Sequence, residues 1–156
     1  MWGGEGKGVF PRSFIPAGSL LAMFGGYVMR IADEPLLENC GADFALQIDD
    51  KFVIGSHSDA DLDDAQYFNH NCDPNAGLRG QLGLVAMRDI APDEEVTFDY
   101  AMVLTEVPGL PEYGFACRCG SANCRGQISD RDWRRPDLQE RYRGWFSWYV
   151  QSRIDC

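Results

Sequence analysis

The chain has 156 residues and a formal net charge of −10, with 45% apolar and 24% charged residues. This length suits one domain with a substantial hydrophobic core. No apolar run approaches the roughly 20 residues of a membrane-spanning helix, and the acidic balance lacks the basic footprint of a nonspecific nucleic-acid binder. The acidic surface fits a basic peptide partner, although a solvated face that only aids solubility is an equally good interpretation.

The first third of the chain predicts short strands joined by turns. Residues 3–8 contain four glycines, which indicates either backbone that approaches a ligand closely or a frayed terminus. An apolar strand is expected over 19–28, with a bulge or a close backbone contact at Gly25-Gly26. Residues 30–42 are expected to be irregular or briefly helical, and residues 44–54 to form a hairpin.

The middle of the chain continues the β pattern around one polar segment. Residues 66–75 include the turn Asp73-Pro74-Asn75, because proline fixes φ and the flanking side chains bond nearby backbone. Residues 81–87 and 96–100 predict two further strands. So many short strands with glycine and proline turns indicate a mainly β, β-rich α+β domain.

The C-terminal residues differ from the rest. Residues 129–132 resemble a helix-capping box. Aromatic and apolar residues then recur at helical spacing, with Gly144 and Ser147 expected to kink or split the helix. We expect this segment to pack an aromatic face onto the domain; a lid over a substrate is the alternative.

The cysteine spacing favours a metal over disulfides. Cys117, Cys119 and Cys124 are too close together to pair comfortably, and clustered thiols in a reducing compartment are typical of a metal site. A structural zinc ion takes four ligands, so a fourth must come from elsewhere. The alternative is a reduced cluster without metal. Cys40 and Cys156 stand alone and are expected to be dispensable.

Four segments in order then carry a family resemblance. They are Gly6-Lys7-Gly8-Val9-Phe10, the signature-like run from Asn69 to Asn75, the stretch Glu94 to Tyr100, and the Cys-x-Cys-x4-Cys-x-Gly tail from Cys117 to Gly126. Together they resemble the SET-domain family of protein-lysine methyltransferases with a post-SET zinc motif. The first segment alone would be weak, whereas the last three in the correct order are specific.

The resemblance implies a fold and a division of the chain. It implies a SET fold of several small curved sheets with a knot-like core, a post-SET zinc loop and a C-terminal helical extension. The expected parts are a SET domain over 1–114, a post-SET segment over 115–128 and the extension over 129–156, packed on the domain. A cytoplasmic location is expected, or a nuclear, chromatin-associated one in a eukaryote.

The resemblance also implies site residues. Cys72 would be the fourth ligand of one structural zinc ion, beside Cys117, Cys119 and Cys124. The methyl donor would be S-adenosylmethionine, held by Lys7, Gly8, Val9, Phe44, Asn69, His70 and Phe115. Tyr100 would be catalytic, and Phe24 and Phe98 would line the lysine channel.

Two departures from the family pattern affect the expected product. Phe24-Gly25-Gly26 replaces a usual Tyr-x-Gly, and Gln66 replaces a usual arginine. Since neither Phe24 nor Phe98 has a hydroxyl to anchor water, di- or trimethylation of a lysine in a basic protein or peptide is expected. We expect a monomer that binds no nucleic acid directly. The alternatives are a catalytically silent module that binds cofactor or peptide, and a purely structural zinc-ribbon protein.

Overall fold

A computed structural model describes residues 7–36, 45–58 and 64–156. Cys40, Phe44 and Gly6 lie outside the described residues, so the predictions made for them stay predictions. Ten short strands and two short α-helices are present in the described ranges. The strands are β1 (Leu20–Met23), β2 (Tyr27–Arg30), β3 (Leu46–Gln47), β4 (Phe52–Gly55), β5 (Asn69–His70), β6 (Ala76–Arg79), β7 (Gly83–Ala86), β8 (Thr97–Phe98), β9 (Gly114–Ala116) and β10 (Gln127–Ser129).

These strands form three small sheets, as the mainly β prediction requires. The largest has the order β1-β7-β6-β8-β5, and the others are β2-β4-β3 and the pair β10-β9. In the largest sheet β1, β7 and β6 pair antiparallel, whereas β8 pairs parallel with both β6 and β5. The parallel pairs place the ends of β5 and β8 side by side. As a result, Asn69 and His70 of β5 lie close to Tyr100, which follows β8.

The predicted strand over 19–28 is wrong as a single element. β1 and β2 belong to different sheets, and the chain changes sheet at Gly25-Gly26. Gly26 has φ +122°, and a Cβ there would lie 2.3 Å from the carbonyl oxygen of Gly55. The expected close backbone contact is therefore confirmed, but it marks a crossing between sheets. The predicted hairpin is confirmed in its described part, where β3 pairs antiparallel with β4.

The C-terminal segment folds into two helices rather than one. The helices are α1 (Pro136–Arg141) and α2 (Trp148–Ile154); Gly144 lies between them at φ +81°, and Ser147 caps α2 through its side chain. The predicted split at these residues is confirmed. The capping box at 129–132 is wrong: Ser129 ends β10, its hydroxyl accepts the Arg131 amide, and α1 begins at Pro136.

The hydrophobic core joins the largest sheet to the C-terminal helices. Leu78 and Leu84 from the sheet are fully buried with Leu138 from α1 and Val150 from α2. The aromatic residues expected to face the domain do so in part: Trp133, Tyr142 and Phe146 are buried, but Trp148 is 71% exposed. None of the described helices is long and apolar enough to cross a membrane.

Candidate active site and metal centre

Four cysteine sulfurs converge from two parts of the chain. Cys72 follows β5, whereas Cys117, Cys119 and Cys124 lie between β9 and β10. The four Sγ atoms lie within 4.8 Å of one another, and those of Cys72 and Cys117 are 3.9 Å apart. Tetrahedral zinc at about 2.3 Å from each sulfur separates the sulfurs by about 3.8 Å. The cluster therefore fits one zinc ion.

The loop that carries three of these cysteines is shaped by glycine. Gly120 and Gly126 adopt φ values of +74° and +73°, which favour a residue without a Cβ. The amide of Cys117 donates to the Gly126 carbonyl at 2.8 Å and closes the loop at the foot of the β9-β10 pair. The tight Cys-x-Cys-x4-Cys spacing is thus built on a closed turn.

His70 connects the cysteine cluster to Tyr100. Its Nδ1 accepts the backbone N–H of Tyr100 at 3.2 Å, so its Nε2 is the protonated nitrogen and faces the Cys72 sulfur at 3.3 Å. Burial lowers the pKa of His70 to about 4 and outweighs the opposing attraction of Asp99. The imidazole is consequently neutral near pH 7, and its Nε2–H points at the Cys72 sulfur.

The residues expected to hold the cofactor meet beside β5. The Asn69 side-chain amide donates to the Lys7 carbonyl at 3.0 Å and to Glu95 Oε1 at 2.6 Å. Val9 forms a bridge with Val96, next to the same carboxylate. A Cβ on Gly8 would lie 2.5 Å from Glu95 Oε1, so the backbone passes close to this side chain because the residue is glycine.

The rings of Phe115, His70 and Tyr100 contact one another. The Phe115 ring is 5.9 Å from the His70 ring and 6.1 Å from the Tyr100 ring, centroid to centroid. The edge-on arrangement is the favourable one for aromatic pairs. The residues predicted to hold the cofactor thus form two sets of contacts, one around Asn69 and Glu95 and one around His70, Phe115 and Tyr100.

A cavity of about 320 Å³ has Tyr100 in its wall and is lined largely by apolar side chains. The rings of Phe24 and Phe98 are 5.9 Å apart, and those of Phe98 and Tyr100 are 5.0 Å apart. Both residues predicted to line a lysine channel are in the cavity wall with Tyr100. The lining residues are Phe24, Ile31, Ala45, Leu46, Gln47, Val53, Ala65, Gln66, Phe68, Phe98, Tyr100, Val103, Leu104, Thr105, Val107, Leu110, Pro111, Tyr113 and Asp130.

The Tyr100 hydroxyl is fixed by backbone. It donates to the Phe68 carbonyl at 3.1 Å, and the residue is 6% exposed. Burial raises the pKa of Tyr100 well above its usual value, so the phenol stays protonated. A phenol oxygen can both donate and accept a hydrogen bond.

Sequence reasoning missed a buried charge network beneath the site. Asp99 is fully buried and accepts from Arg125 Nη1 at 2.5 Å and Nη2 at 2.8 Å. The Tyr142 hydroxyl lies 3.0 Å from Asp99 Oδ2 and 3.2 Å from the Cys72 carbonyl. Arg125 also reaches Asp132 at 2.9 Å. The bidentate Arg-carboxylate pair has the geometry of a strong charged contact.

Sequence reasoning also missed the contacts of Asn75, the Phe68 carbonyl that accepts the Tyr100 hydroxyl, and the partner of Gln66. Asn75 is 2% exposed, donates to the Glu95 carbonyl at 2.8 Å and accepts the Thr97 amide at 2.9 Å. Gln66, which departs from the family pattern, donates to the Ser56 hydroxyl and lies in the cavity wall. Asn75 is the last residue of the signature-like run, but the turn alone accounted for it in the sequence analysis, and its contacts with Glu95 and Thr97 were not predicted.

Comparisons with known proteins identify a family for this chain. The SET domain family model matches residues 6–101, which is more than half of the chain. A histone-lysine N-methyltransferase of Schizosaccharomyces pombe, H3 lysine-9 specific by name, is 27% identical and aligns with 80% of this chain and 31% of its own length. An H3 lysine-4 specific enzyme of Saccharomyces cerevisiae is 32% identical, over 65% of this chain and 10% of its own length.

A solved structure is similar as well. The crystal structure of KRYPTONITE in complex with mCHG DNA and SAH matches with a TM-score of 0.54 and 30% identity, over 77% of this chain and 26% of that one. The fold of small sheets and the matched segment define a SET domain, and the chain belongs to the SET domain family. It spans about a third or less of the length of the curated relatives cited here.

Proposed function

We propose that this chain is a protein-lysine N-methyltransferase that uses S-adenosylmethionine. The observation that carries the proposal is the position of Tyr100, which contacts His70 and Phe115 and also lines the apolar cavity with Phe24 and Phe98. A methyl donor and a lysine amine have to approach from opposite directions for an in-line transfer. The relatives are named histone-lysine methyltransferases, and the structural neighbour holds SAH, the demethylated cofactor.

The cofactor, when bound, supplies an electrophilic methyl group on a sulfonium. The proposed holders are the Lys7–Val9 backbone, Asn69 and His70, with Phe115 against the adenine and Phe44 as a further contact. Asn69 has both its donors engaged with Lys7 and Glu95, so its side-chain oxygen is the group left to accept from a ligand.

The lysine has to reach the site as a neutral amine. Its usual pKa is about 10.4, and an apolar environment disfavours the ammonium form. The cavity walls around Phe24, Phe68 and Phe98 provide such an environment. The Tyr100 oxygen orients the nitrogen, whose lone pair forms the new C–N bond as the S–C bond breaks; the amine proton leaves to solvent. Positioning is the main catalytic contribution.

We assign the zinc ion a structural role. Cys72, Cys117, Cys119 and Cys124 would hold it, and Cys72 lies two residues from His70 in the chain. Metal binding would tie the 115–128 segment to the site and couple it to folding. We propose that 1–114, 115–128 and 129–156 have separate roles in function. We do not propose that they fold independently, because both 1–114 and 129–156 contribute residues to one core.

The substrate is proposed to be a basic, lysine-containing protein segment. The net charge of −10 favours a cationic partner, and the relatives' names point to histone tails but differ in the lysine modified. We propose that the protein acts as a monomer, without direct nucleic-acid binding, and that in a eukaryote it works on chromatin in the nucleus. The proposed product is di- or trimethyl-lysine.

A peptide-array assay tests the activity. Zinc-loaded protein and cofactor carrying a labelled methyl group are applied to lysine-containing peptides, including histone tails, with the Tyr100→Phe variant in parallel. Label on lysine peptides from the unaltered protein supports the proposal. No transfer to any peptide or core histone, together with calorimetric binding of the cofactor, would favour the silent binding module instead.

A further inference from the structure

A second cleft, away from the candidate active site, lies between the β6-β7 turn and the C-terminal helices. It is open to solvent and has a volume of about 440 Å³. Among the described residues, it shares none of its lining with the cavity around Tyr100 or with the cysteine cluster. We call it the Trp148 cleft; polar and aromatic side chains line it, among them Arg79, Arg143, Trp148, Gln151 and Asp155.

Trp148 is exposed although its aromatic neighbours in the C-terminal segment are buried. It is 71% exposed, whereas Tyr142 and Phe146 are 1% and 4% exposed. Packing of this segment onto the domain therefore does not account for the Trp148 side chain. A tryptophan on a surface is a common anchor of protein–protein contacts, because it offers a large apolar area and loses little rotamer entropy on binding.

Backbone hydrogen bonds hold the Trp148 indole in place. The Trp148 amide donates to the Gly80 carbonyl at 3.1 Å, and the Leu78 amide donates to the Trp145 carbonyl at 3.0 Å. These bonds attach the chain before α2 to β6 and to the turn that follows it. A Cβ on Gly80 would lie 3.7 Å from the indole, so the ring lies over this glycine. The cleft is thus formed before a partner binds, which lowers the cost of binding.

Two arginines give the Trp148 cleft a positive side. Arg79 is exposed and forms no ion pair within the described part of the chain; its guanidinium lies 5.7 Å from the Trp145 ring. Arg143 pairs with Glu140, but both side chains are largely exposed. Such a pair contributes little, so another carboxylate can replace Glu140. Asp155, which is exposed, is the single carboxylate among the described lining residues.

This part of the chain also differs in charge from the rest. Residues 129–156 contain six arginines and five acidic residues, although the whole chain has a net charge of −10. The acidic excess therefore belongs to residues 1–128. A free arginine beside an exposed tryptophan offers an acidic partner a local complementary charge. A nucleic acid would need a longer basic footprint along its backbone than two arginines beside a carboxylate provide.

We propose that the Trp148 cleft is a docking site for an acidic segment of a partner protein. A carboxylate of that segment pairs with Arg79, and an apolar or aromatic side chain packs against Trp148. Tryptophan and arginine are the residue types that most often dominate the binding energy of an interface. The site is separate from the proposed methyl transfer, and a bound partner leaves the cavity at Tyr100 accessible, because the two share no described lining residue.

Short blocked peptides without tryptophan are the probes. One peptide has phenylalanine between glutamates, a second has glutamine in place of each glutamate, and a third has lysine there. The protein carries fluorinated tryptophan, and Trp148→Phe assigns the fluorine resonance of Trp148. We expect the glutamate peptide to shift this resonance and to leave that of the buried Trp133 unchanged. The glutamine peptide should bind about fivefold more weakly, because exposed ion pairs contribute modestly.

Substitutions in the cleft should change the affinity in opposite directions. Arg79→Gln should weaken binding of the glutamate peptide about fivefold, whereas Asp155→Asn should strengthen it about twofold, since a repelling carboxylate is lost. Trp148→Ala should weaken binding about tenfold or more. Arg131→Gln is the matched control, at an exposed arginine outside the cleft, and should leave the affinity unchanged. All four variants should keep methyl transfer to a short lysine peptide.

Several outcomes would overturn the docking site. No shift of the Trp148 resonance at millimolar glutamate peptide does so, as does equal binding of the glutamate and lysine peptides. Equal effects of Arg79→Gln and Arg131→Gln would leave only net charge as the cause. A single-stranded oligonucleotide that binds more tightly than the peptide would assign the cleft to nucleic acid, and self-association that Trp148→Ala abolishes would assign it to a second copy.

The docking site and the proposed activity can fail separately. Peptide binding at Trp148 without methyl transfer to any lysine peptide contradicts the activity and leaves the docking site standing. Methyl transfer without peptide binding does the reverse. If Trp148→Ala does not fold, the opposite effects expected of Arg79→Gln and Asp155→Asn decide, because both positions are exposed.

Discussion

Tyr100 is held by groups that fix each of its polar atoms. Its amide donates to His70 Nδ1 and its hydroxyl to the Phe68 carbonyl, while the Phe98 ring packs 5.0 Å from its own. Asp99 caps the turn that Tyr100 begins by accepting the Ala101 amide at 3.0 Å. The phenol oxygen is thus placed by backbone before any ligand arrives, which reduces the reorganisation needed for catalysis.

Replacing Tyr100 with phenylalanine tests this placement. We expect unchanged cofactor affinity and a kcat lowered about tenfold to a hundredfold, because one positioned hydrogen bond is worth roughly 1–3 kcal/mol. Calorimetry and single-turnover methyl transfer measure the two quantities. Tyr27→Phe, at a side chain that is 57% exposed, is the control. Equal turnover in both variants would show that the Tyr100 hydroxyl only satisfies the Phe68 carbonyl.

Phe98 and Phe24 define the expected product. Neither ring offers a hydroxyl to hold water beside the amine, so a nitrogen that already bears a methyl group can turn within the cavity. We expect di- or trimethyl-lysine from the unaltered protein, and Phe98→Tyr should shift the product towards monomethyl-lysine. Mass spectrometry at long times with excess cofactor measures this. Strictly monomethyl product from the unaltered protein would contradict our interpretation of the cavity.

At the scale of elements, the cysteine cluster joins β5 to the β9-β10 pair. We expect one zinc ion per chain by elemental analysis, and loss of most of it in Cys72→Ser, because a tetrahedral site needs its fourth thiolate. Removing the metal with a chelator should lower the melting temperature. Cys156→Ser, at an exposed residue outside the cluster, should retain the metal. Full occupancy in Cys72→Ser would exclude Cys72 as a ligand.

The C-terminal helices are attached to the site through Tyr142. Its hydroxyl contacts Asp99 and the Cys72 carbonyl, and the residue is 1% exposed. Tyr142→Phe should lower the free energy of unfolding by about 1–3 kcal/mol, since a buried charged acceptor loses a donor. Urea unfolding measures this. Tyr149→Phe, whose hydroxyl accepts from Arg153 on a partly exposed face, should cost less. Equal losses of unfolding free energy in the two variants would mean that the hydrogen bond from Tyr142 to Asp99 adds no stability.

The elements differ in how far the sequence could predict them. The metal site could be predicted from the cysteine spacing, and the split between the helices from Gly144 and Ser147. Both predictions succeed because metal ligation and helix breaking are local properties of the chain. The crossing between sheets at Gly26 was not, because it depends on the Gly55 backbone from a distant strand. β6 was missed because its residues follow a strong turn and contain Gly77, which weakens a strand pattern.

Apart from the three clustered cysteines, the candidate site was predictable only where family resemblance applied. Resemblance supplied Cys72, Asn69, His70 and Tyr100, which the structure brings together around β5 and β8. It did not supply Asp130 or Tyr142, because both lie beyond the resembling residues and act through contacts with distant segments. The Asp99–Arg125 pair was also missed, since charge pairing at a separation of 26 residues leaves no periodic signal.

For the whole molecule, the three parts of the chain share one core. The 1–114 part contributes Leu78 and Leu84, and the 129–156 part contributes Leu138 and Val150 to the same cluster. Arg125, in the segment between them, is bound to Asp99 on one side and Asp132 on the other. The zinc segment and the C-terminal helices are therefore parts of the structure that positions the site.

With a net charge of −10, the whole protein surface is expected to attract a basic substrate, in addition to the site itself. Long-range attraction of a basic peptide raises its rate of association, and salt screens it: the Debye length falls from about 30 Å at 0.01 M to about 10 Å at 0.1 M. For a lysine peptide with several flanking arginines, we expect kcat/KM to fall roughly tenfold between these concentrations, because steered association depends steeply on ionic strength. A peptide with citrulline at those positions is the control and should change by less than about twofold. Equal salt dependence of the two peptides would mean that the acidic surface serves only solubility.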